Sequence, residues 1–130
     1  SILSIFKSMA KLLLIDDNID LLEVQGQFLR DAGHDVTVCA VADKAFVLLS
    51  QGNFDLVMTD IIMPDKDGLE VIMALKRVAP TIKIIAVSGG GRIDATSYLD
   101  LAVKLGASAS LSKPFSGETL ISTVNRVLSA

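Results

Sequence analysis

The sequence predicts one α/β domain in which strands and helices alternate around a parallel sheet. The length of 130 residues fits a single domain, and a hydrophobic content of 51% is enough for a packed core. Short apolar runs alternate along the chain with segments of helical periodicity. Strict alternation implies right-handed crossovers, with helices on both faces of the sheet.

Five short segments are predicted as strands. Residues 11–15 form a continuous apolar run, which is typical of a strand buried on both faces. The remaining strands are predicted at residues 35–40, 54–59, 82–87 and 107–111.

A helix is predicted after each strand, from apolar residues at helical spacing. Gly33, Gly52 and Gly106 end the first, second and fourth helices, and Ala79-Pro80 ends the third. Ser116 is the expected N-cap of the fifth. In chain order, the inward-facing residues are expected to be Leu21, Leu22, Val24, Phe28 and Leu29; Ala45, Leu48 and Leu49; Leu69, Ile72 and Met73; Leu99, Ala102 and Leu105; and Leu120, Ile121, Val124, Val127 and Leu128.

Composition excludes several functional classes. The net charge of −3 and the absence of a basic arm argue against direct nucleic-acid binding. The apolar runs are far shorter than the ~20 residues that a membrane span needs. Cys39 is the single cysteine and cannot form an internal disulfide, so a cytoplasmic protein is expected. His34 is the single histidine, and it is expected to be a surface turn residue.

Residues 1–10 are interpreted as an N-terminal extension: a short helix on the domain, a segment that contacts a partner or a crystal neighbour, or an added or upstream segment. They have no cationic region followed by a long apolar one, so a signal peptide is not expected.

Polar residues stand where four of the strands end. Asp16 and Asp17 follow the first strand, Asp60 the third, Ser88 the fourth and Lys113 the fifth. Each has an ordinary explanation alone, such as a helix cap, a loop hydroxyl or a solvated charge. A parallel sheet, however, brings all of them to one edge, where ligands bind in such folds.

Three carboxylates at one edge would repel one another unless a cation were bound. An all-oxygen ligand set suits Mg²⁺, which also pairs with phosphate groups. A lysine ammonium and a serine hydroxyl beside it could contact phosphoryl oxygens. These residues therefore predict phosphoryl transfer to an aspartate nucleophile.

Four segments resemble the receiver domain of two-component response regulators, and the resemblance covers the chain from about residue 11 to residue 130. They are Leu-Leu-Leu-Ile-Asp-Asp-Asn (12–18), Asp-Leu-Val-Met-Thr-Asp-Ile-Ile-Met-Pro-Asp-Lys-Asp-Gly (55–68), Ile-Ala-Val-Ser-Gly (85–89) and Leu-Gly-Ala-Ser-Ala-Ser-Leu-Ser-Lys-Pro-Phe (105–115). The resemblance implies a flavodoxin-like, doubly wound (βα)5 domain over residues 11–130, with strand order 2-1-3-4-5.

The resemblance also implies a role for each site residue. Asp60 is similar in place to the phosphoryl acceptor of the family. Asp17 resembles the direct Mg²⁺ ligand and Asp16 the water-mediated one, and Asp60 is itself among the implied Mg²⁺ ligands. The Ile62 carbonyl resembles a further Mg²⁺ ligand. Ser88 is similar to the switch hydroxyl and Lys113 to the lysine that contacts the phosphate, with a cis bond between Lys113 and Pro114.

The implied function is a signalling switch rather than a turnover enzyme. A sensor histidine kinase or a histidine phosphotransfer protein would pass a phosphoryl group to Asp60, and a change of conformation would signal to a downstream target. Phosphorylation and dephosphorylation would be self-catalysed. The expected oligomeric state is a monomer or a weak homodimer, and a stand-alone regulator and the receiver of a longer protein are both compatible with the sequence.

Two stretches depart from the receiver pattern. Ser110 stands where most receivers have Tyr or Phe, three residues before the lysine. The stretch between Ser88 and Lys113 is longer than usual and begins with a run of glycines at 89–91. We therefore expect phosphorylation to move residues 89–94 and the start of the fourth helix more than the fifth strand.

Two alternatives are compatible with parts of this pattern. A phosphatase of the haloacid-dehalogenase type would also use a strand-end aspartate, Mg²⁺ and a lysine. Its second aspartate would stand two residues after Asp60, where this chain has Ile62. The other alternative is a receiver-like interaction module that is no longer phosphorylated.

Overall fold

The computed structural model describes residues 10–63, 66–89 and 95–130, and the side chains of residues 63, 66 and 95–98 are outside this description. Residues 1–9 of the expected extension and residues 90–94 of the expected switch loop also lie outside the described residues.

Five strands and five helices alternate along the described chain. The strands are β1 (Lys11–Ile15), β2 (Asp35–Cys39), β3 (Leu56–Asp60), β4 (Lys83–Ser88) and β5 (Ala109–Ser112). The helices are α1 (Ile19–Asp31), α2 (Ala42–Gln51), α3 (Gly68–Val78), α4 (Ala95–Lys104) and α5 (Gly117–Ser129). Between β3 and α3, Ile62–Met63 pairs with Lys66–Asp67 as a two-residue antiparallel ladder.

The five main strands form one parallel sheet in the order β2-β1-β3-β4-β5. This is the predicted order 2-1-3-4-5. The strands β3, β4 and β5 begin one or two residues later than predicted. Asp55 and Ser108, which precede β3 and β5, donate their amides to the carbonyls of Lys11 and Ile84 but lie outside the strand ladder.

The core lies on both faces of the sheet. Leu12 and Leu14 of β1 point into one cluster with the inner faces of α1 and α5, and Leu13 and Ile15 point into the other with α2, α3 and α4. Side chains alternate between the faces of a strand, so all four of these residues are at most 2% exposed. The continuous apolar run of β1 is explained by this double burial.

The helices pack on the sheet largely as their periodicity predicts. The predicted stripe of α5 is correct, since Leu120, Val124 and Val127 are buried and Ile121 and Leu128 pack against the same cluster. The predicted N-cap is also confirmed, because Ser116 Oγ accepts a hydrogen bond from the Thr119 amide at 3.0 Å. No described helix combines the length and the apolar character needed to cross a bilayer.

Some predicted inward residues are in fact exposed. Val24 and Phe28 of α1 are 53% and 43% exposed, and Met73 and Leu105 also lie at the surface. The inner face of α1 holds the correctly predicted Leu22 and Leu29, together with Gln25 and Gly26. Gln25 and Gly26 carry no apolar signal, so hydrophobic periodicity missed them and extended the predicted inner face to Val24 and Phe28.

His34 is buried at 5% exposure, so its prediction as a surface residue was wrong. Its Nδ1 accepts a hydrogen bond from the Ala10 amide at 3.2 Å. The Nε2 atom therefore carries the proton of the neutral ring and donates to Asn125 Oδ1 at 3.3 Å. His34 thus joins the start of β1, the α1–β2 turn and α5.

Replacing His34 by Leu should lower the free energy of unfolding by about 1–3 kcal/mol, because the buried Ala10 amide loses its acceptor. Urea denaturation measures this loss. The Asn125→Ala variant is the control and should lose less, because Asn125 is exposed and water can replace it. Unchanged stability in His34→Leu would show that the Ala10 contact contributes nothing.

Candidate functional site

The register of the parallel strands brings the predicted site residues to one edge of the sheet. Ile15 of β1 pairs with Thr59 of β3, so Asp16 and Asp60 both follow this pair. Ser88 ends β4, and its carbonyl accepts the Lys113 amide at 2.8 Å. The strand ends alone therefore place Asp16, Asp60, Ser88 and Lys113 together.

Lys113 connects the two buried carboxylates of the site. Its Nζ atom lies 2.7 Å from Asp16 Oδ2 and 2.7 Å from Asp60 Oδ2. The two carboxylate side chains are 4% and 6% exposed, and the lysine side chain is 20% exposed. One ammonium group thus compensates two carboxylates that are largely removed from water.

Asp17 completes an acidic group with Asp16 and Asp60. One carboxylate oxygen of each residue lies within 4.8 Å of the others. Asp17 is exposed, while Asp16 and Asp60 are buried. Oxygen donors at this spacing, with one side open to solvent, fit a hard divalent cation that retains water ligands.

Ser88 has a buried hydroxyl group without a partner. The residue is 0% exposed, and its Oγ has no hydrogen-bond partner among the described residues. An unpaired buried hydroxyl is unfavourable in a folded protein. A phosphoryl oxygen entering this edge of the sheet would supply the missing acceptor.

Ile62 contributes its backbone to the site. Its amide donates to Asp60 Oδ1 at 2.7 Å, while Asp60 Oδ2 faces Lys113. Both oxygens of Asp60 are therefore held, which fixes the orientation of the carboxylate.

The two central ionisable groups have shifted pKa values. Burial raises the pKa of Asp60, and the hydrogen bonds from Lys113 and Ile62 offset this only in part. Burial would lower the pKa of Lys113, but its hydrogen bonds to Asp16 and Asp60 outweigh this effect and raise it. The site therefore keeps Lys113 charged and makes ionised Asp60 less stable than it would be in water.

Sequence reasoning gave no separate role to two residues next to the site. Asn18 donates its amide to Asp16 Oδ1 at 2.9 Å and caps α1 by accepting the Leu21 amide at 3.1 Å. An asparagine before an apolar helical pattern is a cap signal that could have revealed it. Gly68 packs against the backbone of Ile61, directly after Asp60, and no periodicity indicates such a contact.

A family comparison identifies the family to which this fold belongs. The model of the family described as "Response regulator receiver domain" matches residues 12–125. The chain belongs to this family. Receiver domains generally use Mg²⁺, interact with histidine kinases or phosphotransfer proteins, and are not classical enzymes.

Curated relatives support the same assignment. The chain is 35% identical over 126 residues to the DNA-binding transcriptional regulator NtrC of Azospirillum brasilense, covering 95% of this chain and 25% of that protein. It is 31% identical over 120 residues to the transcriptional regulatory protein CpxR of Escherichia coli K12, covering 92% of this chain and 50% of that protein. The chain thus spans only a quarter of the length of this NtrC protein and half of the length of this CpxR protein.

A solved receiver domain has the same fold. The crystal structure of a response regulator receiver domain protein from Clostridium thermocellum superimposes with a TM-score of 0.84 at 27% identity, covering 92% of this chain and 94% of that one. The predicted cis peptide bond between Lys113 and Pro114 is also confirmed. The expected departure at position 110 is an exposed serine in β5.

The raised pKa of Asp60 predicts how stability depends on pH in the metal-free receiver. When the folded pKa exceeds the unfolded one, stability is lost as pH rises between the two values. Asp60→Asn should therefore be more stable than the wild type at about pH 7, and this gain should shrink as pH falls toward ~4. Denaturant unfolding with a chelator present measures the difference. A gain of equal size at both pH values would contradict the role of Asp60 ionisation.

Proposed function

We propose that Asp60 accepts a phosphoryl group from a sensor histidine kinase or a histidine phosphotransfer protein and that the receiver switches conformation in response. The observation that carries this proposal is the setting of the Asp60 carboxylate. It is buried at the end of β3, held by Lys113 Nζ and the Ile62 amide at 2.7 Å each, and it lies at the same sheet edge as the unpartnered Ser88 hydroxyl.

The proposed reaction is a phosphoryl transfer between two protein side chains. An Asp60 oxygen forms a bond to phosphorus while the bond from phosphorus to the donor histidine nitrogen breaks, and that nitrogen keeps the electron pair. The Ile62 amide orients Asp60 for in-line attack. Lys113 stabilises negative charge on the transferred group, and Ser88 donates its hydroxyl to a phosphoryl oxygen. Hydrolysis of the acyl phosphate would reset the receiver.

We propose Mg²⁺ as the cation of this site. Asp17 and Asp60 would bind it directly, Asp16 through water, and the Ile62 carbonyl would provide a further oxygen, as the family resemblance implies. When bound, Mg²⁺ neutralises charge on phosphoryl oxygens. The fit is supported by the acidic group of Asp16, Asp17 and Asp60 within 4.8 Å.

The proposed module covers residues 11–130, and residues 1–10 are an extension to it. We propose that the chain acts as a monomer or weak homodimer. We also propose that it makes no direct nucleic-acid contact, because its net charge is −3. A cytoplasmic location fits its single cysteine, the buried free thiol of Cys39.

Since Ser110 has no ring to reorient, the switch is expected in residues 89–94 and the start of α4, rather than in β5.

A specific observation weakens the phosphatase alternative. The position where that family needs a second acidic residue is Ile62, which reaches Asp60 through its backbone amide. A carboxylic acid for turnover is therefore missing at this position. The non-phosphorylated interaction module remains the competing outcome of the first experiment below.

Incubation with Mg²⁺ and acetyl phosphate should add one phosphate to the protein, measured by intact mass. Asp60→Asn should not be labelled, because an amide is not a competent acceptor. The matched control is Asp55→Asn. Asp55 directly precedes β3, at the end of the strand opposite Asp60, and its Oδ2 accepts a hydrogen bond from the Lys11 amide. It should be labelled like the wild type. An unlabelled wild type would support the non-phosphorylated module, and labelling of Asp60→Asn would place the acceptor elsewhere.

Mg²⁺ should stabilise the unphosphorylated protein by mass action, by about 1.4 kcal/mol at roughly ten times its dissociation constant. Asp17→Asn should lose most of this gain, because it removes an exposed ligand without disturbing the Lys113 contacts. Asp20→Asn, three residues further on in the first turn of α1, is the charge-matched control and should keep it. Thermal unfolding with and without Mg²⁺ measures each gain, and an equal gain in Asp17→Asn would exclude Asp17 as a ligand.

A further inference from the structure

Gly68, the first residue of α3, lies directly against the backbone of Ile61. A Cβ atom at Gly68 would overlap the Cα, carbonyl carbon and carbonyl oxygen of Ile61. These are backbone atoms of a residue that is 2% exposed. They cannot rotate aside as a side chain can, so any residue larger than glycine must displace the main chain at this point.

The displaced segment is the one that holds Asp60. Ile61 follows Asp60 and donates its amide to the Val87 carbonyl of β4 at 2.8 Å. Ile62 comes next, and its amide holds Asp60 Oδ1 at 2.7 Å. A shift of Ile61 therefore changes the direction of the Ile62 amide.

An antiparallel ladder brings the start of α3 beside Ile61. Ile62 pairs with Asp67 in the antiparallel ladder, which returns the chain to Gly68 beside its starting point. Asp67 then caps α3, because its Oδ1 accepts the Leu69 amide at 2.9 Å. The N-terminus of α3 is thus packed against the residue that follows the acceptor.

We infer that Gly68 is a positioning residue for the phosphoryl acceptor, because its missing side chain lets α3 support the Ile61–Ile62 segment that orients Asp60. The inference rests on the proposed function for the identity of the reaction. The geometry of the Ile62 amide can be tested without it.

The test compares Gly68→Ala with Gly117→Ala. Gly117 is the first residue of α5, so the change in helix propensity is the same. A Cβ there would meet the Phe28 ring at 2.6 Å, but this ring is 43% exposed and can turn away. Gly117 thus provides a close contact with a movable side chain instead of backbone, remote from Asp60 in sequence.

Two readouts are measured on each folded variant. The first is the chemical shift and hydrogen exchange of the Ile62 amide in the metal-free protein. The second is the initial rate of acetyl phosphate labelling at saturating Mg²⁺. Gly68→Ala should lose protection at Ile62 and label about tenfold to a hundredfold more slowly, since small displacements of a reacting group cost this much. Gly117→Ala should match the wild type in both readouts.

A second set of variants applies if Gly68→Ala does not fold. Asp67→Ala removes the cap of α3 and should slow labelling several-fold, whereas Asp67→Asn keeps a capping oxygen and should restore the wild-type rate. Ser116→Ala removes the equivalent cap of α5 and should leave the rate unchanged.

An unchanged Ile62 amide and a wild-type rate in folded Gly68→Ala would overturn the inference, as would a wild-type rate in Asp67→Ala. If wild-type protein is not labelled at all, the proposed function fails instead. The Ile62 amide in the metal-free variants then still decides whether Gly68 positions the segment.

Discussion

The site depends on the ammonium group of Lys113. It lies 2.7 Å from a carboxylate oxygen of Asp16 and 2.7 Å from one of Asp60, at an edge where two acidic side chains are almost fully buried. Without it, neighbouring strands would place like charges together with little water to screen them. The raised pKa of Lys113 reflects this bridging, because its contacts with both carboxylates outweigh the effect of burial. The lysine therefore holds a preorganised acidic pocket together before any cation or phosphoryl group arrives.

Lys113 can reach both carboxylates because of the strand order. β1 and β3 are neighbours in the sheet and β5 lies beyond β4, so the lysine approaches from the edge strand across β4. The Lys113 amide bonds to the Ser88 carbonyl at 2.8 Å, and this contact joins the end of β4 to the start of the β5–α5 connection. The apolar residues of the strands determine the sheet, and the sheet determines which polar residues meet.

The fold and the main site residues could be predicted because their signals lie within short stretches of the sequence. β1, β3 and β4 are largely apolar runs and β5 is a short segment of small residues. The end of each strand lies at a known edge of a parallel sheet, so Asp16, Asp60 and Lys113 could be placed there from the pattern alone. The burial of His34 could not be predicted in this way. Its ring accepts a hydrogen bond from the Ala10 amide and contacts Asn125, and both residues are far from His34 along the chain. The contact of Gly68 with Ile61 was not predicted for a similar reason, since it joins two residues that come together only in the fold and leaves no periodic signal.

Two features of the site are unfavourable for the stability of the resting fold. Ionised Asp60 is destabilised by burial, and the Ser88 hydroxyl is buried without a partner among the described residues. A core built for stability alone would remove both, as buried polar groups are normally paired. The phosphorylation proposed above would satisfy both groups, because the phosphoryl group would give the Ser88 hydroxyl an acceptor and would bond to the Asp60 oxygen. The phosphorylated state would then have interactions at Ser88 and Asp60 that the resting state lacks. Such a difference in interaction energy is what a two-state switch requires.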